Sequence, residues 1–156
     1  MSVSIRKAVV SDSPALYAAW EALRRHYAVI DRRIVPTPVS EDEFVADFRE
    51  TLAREASVAF VAELNGQVVG FLSGGIEANQ PGRLPDRHAT IGYMYVEPSA
   101  RRMGAGRLLF EAIAEWAAGH DDVAHLEMVV PASDLEASPF WQQLGFRDDG
   151  GPTQWP

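Results

Sequence analysis

Apolar residues along the chain alternate between two spacings. Ile5, Val9 and Val10 predict a short strand over residues 3–9. Ser11-Asp12-Ser13-Pro14 follows, with a capping hydroxyl or carboxylate and a proline at an early helical position. Leu16, Ala19, Trp20 and Leu23 then recur at helical spacing, which predicts a helix over 15–25. Residues 26–39 hold Tyr27, Ile30, Arg32, Arg33, Pro36 and Pro38 without a period and read as an irregular connection. Ser40-Glu41-Asp42-Glu43 fits a capping box, and Phe44, Val45, Phe48 and Leu52 form the apolar stripe of the helix it starts.

Residues 57–64 have strand composition, Asn65-Gly66 is a hairpin turn, and 67–73 is the returning strand. Asn79, Pro81, Gly82 and Pro85 make 77–87 a loop, and 89–96 is a strand of aromatic and branched residues. Residues 97–103 lead into a helix over 104–118, with Leu108, Leu109, Ala112, Ile113 and Trp116 as its apolar face. A strand over 123–130, a turn over 131–137 and a short helix over 138–144 follow, and Gly145 ends that helix as a left-handed residue. Phe146-Arg147-Asp148 starts a last short strand, and the tail 150–156, rich in glycine and proline, predicts no element. The order β-α-α-β-β-β-α-β-α-β is mixed α/β, with an antiparallel hairpin early and a parallel crossover late. A length of 156 residues without repeat or linker predicts one domain.

Composition narrows the field. The hydrophobic share of 47% with 23% charged residues excludes a disordered chain. Cysteine is absent, which removes disulfides, thiolate metal sites and a cysteine nucleophile, and fits a cytoplasmic setting. No apolar run reaches the roughly 18–20 residues that span a bilayer, and Met1-Ser2-Val3-Ser4-Ile5-Arg6-Lys7 lacks the apolar core of a signal peptide, so no membrane partner is expected. Net charge is −8, so nucleic acid is not an expected partner either. His26, His88, His120 and His125 are scattered without metal-ligand spacing, and no metal is expected.

The candidate chemistry lies after the strand over 89–96. A helix begins at Arg101-Arg102-Met103-Gly104-Ala105-Gly106-Arg107. Helix starts leave backbone N–H groups unpaired and carry partial positive charge. Gly104 and Gly106 let a phosphate approach those amides, and the arginines add charge-assisted hydrogen bonds. Leu109 stands where a dinucleotide-binding fingerprint needs its third glycine, and the G-x-x-x-x-G-K-[ST] phosphate loop is absent.

Val96-Glu97-Pro98-Ser99-Ala100-Arg101-Arg102-Met103-Gly104-Ala105-Gly106 closely resembles the acetyl-CoA signature of the GNAT N-acetyltransferases, R/Q-x-x-G-x-G/A after a strand ending in valine. Residues 134–146, Asp134-Leu135-Glu136-Ala137-Ser138-Pro139-Phe140-Trp141-Gln142-Gln143-Leu144-Gly145-Phe146, resemble that family's second motif, N-x-x-A-x-x-[FL]-Y-x-x-x-G-F. With the matching element order, the resemblance covers residues 3–147.

The resemblance implies an acyl-CoA N-acyltransferase fold: a mixed, mostly antiparallel sheet of six to seven strands, splayed between the fourth and fifth, with about four helices. It implies acetyl-CoA as donor, CoA as product and a primary amine of a small molecule or peptide as acceptor, attacked directly through a tetrahedral intermediate. Met94, Tyr95 and Val96 match the segment that pairs with the pantetheine arm. Arg102, Met103, Gly104, Ala105, Gly106 and Arg107 match the pyrophosphate amides, and Arg101 opens the motif. Asp134 replaces an asparagine that commonly touches the pantetheine arm, and an ionised aspartate cannot donate there. Phe140 and Trp141 match positions beside the cofactor. The amide of Tyr95 or Met94 is the implied oxyanion donor.

Two departures bear on proton transfer. Many relatives carry a tyrosine acid where this chain has Trp141, whose indole N–H is no useful acid; Tyr95 and Tyr93 are the alternative hydroxyls. Relatives often carry a glutamate base on the fourth strand, where this chain has Thr90 and Gly92. Others take it from the fifth strand at the position of Val129. Glu127 lies two residues earlier on the same face, with His88 and Glu97 as further candidates. A site without a strong base favours weakly basic amines: an α-amino group is about one-sixth neutral at pH 7, a lysine only about once in 2,500 molecules. The two irregular segments hold candidate acceptor contacts: Tyr27, Asp31, Arg32, Arg33 and Arg87. A non-catalytic acyl-CoA-binding module of the same fold stays open as the alternative. The short tail and family habit together imply a homodimer.

Overall fold

The structure, a computed structural model, describes residues 2–79, 81–82, 87–128, 137–146 and 153–155. Its elements in chain order are β1 (Ser4–Lys7), α1 (Ser13–Ile30), α2 (Glu41–Ala53), β2 (Ser57–Leu64), β3 (Gln67–Ala78), β4 (Arg87–Val96), α3 (Ala105–Ala118), β5 (Val123–Met128), α4 (Ala137–Gln143) and β6 (Thr153–Trp155). The strands form one mixed sheet in the order β1-β2-β3-β4-β5-β6. All neighbouring pairs are antiparallel except β4 and β5, which are parallel across the α3 crossover.

The hairpin turns as the sequence predicts: Asn65 has φ 54° and Gly66 φ 77°, both left-handed, as a two-residue hairpin of that twist requires. Val58, Ala59, Phe60, Val61 and Ala62 of β2 are all buried. Such a continuous run marks a strand covered on both faces. Phe60 and Ala62 join Leu72, Ala89, Ile91 and Leu126 under α3. Ala59 and Val61 join Leu16, Phe48 and Phe71 under α1 and α2. On α3 the buried stripe is Ala105, Leu109, Phe110, Ile113 and Ala117; Leu108 and Ala112, expected there, are only half-buried.

Four expectations need correction. The helix after Pro14 runs on to Ile30, because residues 26–30 contain no glycine or proline to stop it and Tyr27 accepts the N–H of Asp31 at the C-terminal cap. Residues 77–87 are not all loop: β3 continues to Ala78 and β4 starts at Arg87, with Glu77 opposite His88. The strand expected over 67–73 runs on through Gly74 and Gly75, where the missing side chains permit close approach. A Cβ on Gly74 would lie 2.2 Å from the Thr90 carbonyl oxygen and 2.6 Å from Ile113 Cδ1. Finally, a strand forms at Thr153–Trp155, in the tail that predicted none. Of the strand expected over 146–148, Phe146 lies outside any strand and the other two positions are outside the described residues, as are residues 129–136.

Ser40 caps α2, its hydroxyl accepting the N–H of Glu43 at 3.1 Å. The junction of β1 and α1 is held by Asp12, whose carboxylate accepts Arg6 Nη1, Arg6 Nη2 and the Val9 N–H, each at 2.8 Å. Arg6 also pairs with Glu63 of β2, so the guanidinium ties the start of the chain to its neighbouring strand. The Arg6 hydrogen bonds hold the buried Asp12 carboxyl below its ordinary range, against the opposing effect of burial. A carboxyl depressed in the folded state binds its proton more readily when unfolded. Its stabilisation is therefore complete above the unfolded value and is lost as pH falls through the folded one. Asp12→Asn is expected to cost about 1–3 kcal/mol at neutral pH. In denaturation curves the gap between wild type and variant should stay constant above about pH 4 and close below it; a gap that widens on acidification would contradict this.

Candidate active site

β4 changes its surroundings part of the way along. Its first half pairs with β5, Thr90 opposite Glu127 and Ile91 opposite Met128. Among the described residues no β5 position pairs with β4 beyond Ile91. On the other edge Gly74 pairs with Ile91 and Ser73 with Tyr93, which leaves Gly92 as the extra residue of a bulge. A cavity of about 460 Å³ opens beside this stretch. Gly92, Met94, Tyr95 and Val96 form one wall, Met128, Phe140 and Trp141 another. Leu23, and His26 and Tyr27 at helical spacing from it on the added turn of α1, close a third side.

The start of α3 faces the same space. Gly104 has φ 81°, a conformation in which a side chain is strained, and it turns the segment Pro98–Met103 into the helix. The first i→i+4 bond of α3 runs from the Leu108 N–H to the Gly104 oxygen at 3.1 Å. The amides of Ala105, Gly106 and Arg107 precede it and have no partner within the helix. Gly104, Gly106 and Arg107 line the cavity. A Cβ on Gly106 would lie 3.0 Å from Phe140 Cζ and 3.6 Å from Met94 Cε, so the missing side chain keeps the gap between α3, α4 and β4 narrow and open. A channel between two strands that ends on free amides and arginines fits a narrow arm with an anionic pyrophosphate.

Of the residues matched to the donor, Met94, Tyr95, Val96, Arg101, Gly104, Gly106, Arg107, Phe140 and Trp141 line this cavity. Arg102 and Met103 are exposed outside it, and Ala105 is buried in the core beneath. Asp134 lies outside the described residues. Arg101 does more than carry charge: its Nε donates to the Val96 oxygen at 2.9 Å, and its guanidinium sits 5.7 Å from the Tyr95 ring centre. Trp141 is 4% exposed and packs edge-on with Phe110 and Phe146, which makes it a core residue whose rim reaches the cavity.

The proton-transfer candidates separate. Tyr95 lines the cavity. Tyr93 does not; it is half-exposed, with its ring edge-on to Trp20. Glu127 stands directly across from Thr90 in register. Glu127 does not line the cavity; it meets His125 Nε2 at 2.7 Å and His88 Nε2 at 3.2 Å. This corrects the reading of the histidines as scattered. A register shift lets two β5 residues, Ala124 and His125, oppose His88 alone, and the strands supply the proximity that sequence spacing does not. Among the acceptor candidates, Arg87 is committed to Asp122 and Arg33 to Asp31, while Tyr27 reaches the cavity. Leu23, expected on the helix but not at a site, and His26 were not expected there; continuing the helical period from Leu23 past Arg25 would have found His26.

Solved structures share this architecture. A mutant of the BH1408 protein from Bacillus halodurans is 20% identical, with 98% of each chain covered and a TM-score of 0.83. A predicted acetyltransferase from Clostridium acetobutylicum, solved with acetyl-CoA, is 22% identical over 95% of this chain and 92% of its own, at a TM-score of 0.71. The aminoglycoside 6'-N-acetyltransferase AAC(6')-Ih from Acinetobacter baumannii is 19% identical over 94% and 92%, also at 0.71. Among curated protein sequences none matches the chain. At these identities the structures establish the fold. The sequence profile of the acetyltransferase (GNAT) family, by contrast, matches residues 18–146, spanning the bulged strand, the glycine-rich helix start and α4, and by that match the chain belongs to the acetyltransferase (GNAT) family.

Proposed function

We propose that the protein transfers an acetyl group from acetyl-CoA to a primary amine of a small molecule or peptide. The observation that carries this reading is the single cavity bounded by the bulged half of β4 and by the free amides of the α3 start. The thioester supplies an activated acyl carbon and a stable thiolate leaving group. The chain supplies position and protons. Amides from Ala105 to Arg107 hold the pyrophosphate end, and the exposed edge of β4 from Met94 to Val96 holds the extended arm. The amide of Tyr95 or Met94 stabilises negative charge developing on the acyl oxygen.

The incoming amine must shed a proton, and the sulfur must gain one. Glu127 takes the first role in this reading, since it occupies the place across from Thr90. Tyr95 takes the second, because its ring lines the cavity while Tyr93 stays outside and Trp141 is buried with no acidic proton. The acceptor enters past α1, where Tyr27 and His26 stand at the cavity mouth. The aminoglycoside acetyltransferases among the structural neighbours make polyamine-like small molecules a sensible part of an acceptor panel.

Steady release of CoA thiol in the presence of acetyl-CoA and an amine panel is the expected result. Tight acetyl-CoA binding with no thiol release would replace the enzyme by the binding module. Gly104→Val forces a branched side chain into a left-handed conformation and reshapes the amide cradle. The free variant relaxes out of the cradle and must restore it to bind, so acetyl-CoA affinity is expected to fall about 5- to 150-fold by calorimetry, the equivalent of the 1–3 kcal/mol such strain costs; unchanged affinity would remove the cradle. Tyr95→Phe is expected to lower kcat by roughly 10²-fold with little change in acetyl-CoA affinity. An unaltered kcat would assign the sulfur's proton to another donor.

A further inference from the structure

Three metal-ligating side chains converge on the sheet face that carries α1 and α2, next to the cavity. His88 Nε2, His125 Nε2 and a carboxylate oxygen of Glu127 all lie within 4.8 Å of one another. The two imidazole rings are stacked, 5.4 Å between centres and 6° from parallel, so both present the same nitrogen to the carboxylate. His88 is 9% exposed, and His125 and Glu127 are each 16% exposed, which withdraws all three from bulk water. His88 Nδ1 lies 2.7 Å from Asn79 Oδ1. With Nδ1 donating to that amide oxygen, Nε2 is turned toward the Glu127 carboxylate 3.2 Å away, where a proton or a metal ion bridges the pair.

We propose that His88, His125 and Glu127 bind a divalent transition-metal ion of the zinc class. Two imidazoles with one carboxylate suit such an ion, whereas magnesium and calcium prefer oxygen alone. The Asn79 contact is the outer support that fixes tautomer and ring direction in metal-binding histidines. Donors around a tetrahedral ion at 2.0–2.1 Å stand about 3.3 Å apart. Glu127 Oε1 stands 2.7 Å from His125 Nε2 and Oε2 3.2 Å from His88 Nε2, with all donors within 4.8 Å of one another, so rotation of the carboxylate and movement of the two rings would bring three donors onto one ion. Glu77, opposite His88 in register, brings Oε2 to 3.9 Å from His88 Nε2 and is a candidate fourth ligand.

Cobalt(II) is the probe, added to the untagged full chain. A visible ligand-field absorption should appear, saturate at one equivalent and vanish on adding Zn²⁺. Cobalt should also broaden the imidazole proton signals of His88 and His125 and spare those of His120, which needs no variant. His125→Gln and Glu127→Gln should each weaken cobalt binding at least about tenfold, while His120→Ala leaves it unchanged. No saturable band at millimolar cobalt would overturn the site, as would a band that persists in the His125→Gln, Glu127→Gln double variant or equal broadening at His120. The bound ion holds the Glu127 carboxylate, so Zn²⁺ should slow acetyl transfer. That consequence rests on the proposed function, whereas the cobalt measurements read the resting protein. A saturable band in a chain that transfers no acetyl group would keep the site and discard the enzyme.

Discussion

A strand inside a sheet has hydrogen-bonding groups on both edges, and from Gly92 to Val96 the only described strand paired with β4 is β3, with Arg101 Nε taking the Val96 oxygen. The cavity borders that stretch. Backbone amides and carbonyls are obligatory partners, so an edge left free within a folded sheet invites an extended ligand to complete it. The Gly92 bulge sits where β4 passes from one regime to the other, and Ile91 and Tyr93 keep their pairing with β3 on either side of it.

The same strand then turns through Pro98–Met103 and Gly104 into α3, and the crossover packs back on the sheet through Leu109 and Ile113. This packing aims the helix start. Ala105 is fully buried, which anchors the first turn in the core, while Gly104 and Gly106 on either side of it stay open to the cavity. The closeness of Phe140 to Gly106 and the burial of Trp141 against Phe110 join α4 to the same arrangement. Trp141 has no acidic proton to give, and among the described residues Tyr95 and Tyr27 are the phenols on the cavity wall.

On the face that carries α1 and α2, chemistry is spread over neighbouring strands rather than gathered in a motif. Glu77, His88 and Glu127 belong to β3, β4 and β5 and meet because parallel and antiparallel registers bring them side by side. The carboxylate across from Thr90 is held by two imidazoles, so whatever binds a proton or a cation there acts on one compact group.

Much of this was legible in the residues. The Asn65-Gly66 turn, the Ser40 cap, the left-handed Gly145 and the glycine-rich helix start each follow from short-range backbone chemistry, which a few neighbouring residues fix on their own. The strand, turn and helix start around Gly104 were legible for the same reason: they are contiguous in the chain. The length of α1 was written in residues 26–30, which hold no helix breaker, and was hidden only by the loop-like composition downstream; the length of β3 was not legible, because the approach of Thr90 and Ile113 put Gly74 inside a strand. The meeting of His88, His125 and Glu127 was beyond the sequence altogether. It depends on a register shift between parallel strands joined through a helix, and such a pairing is set by the whole core rather than by any local run of residues.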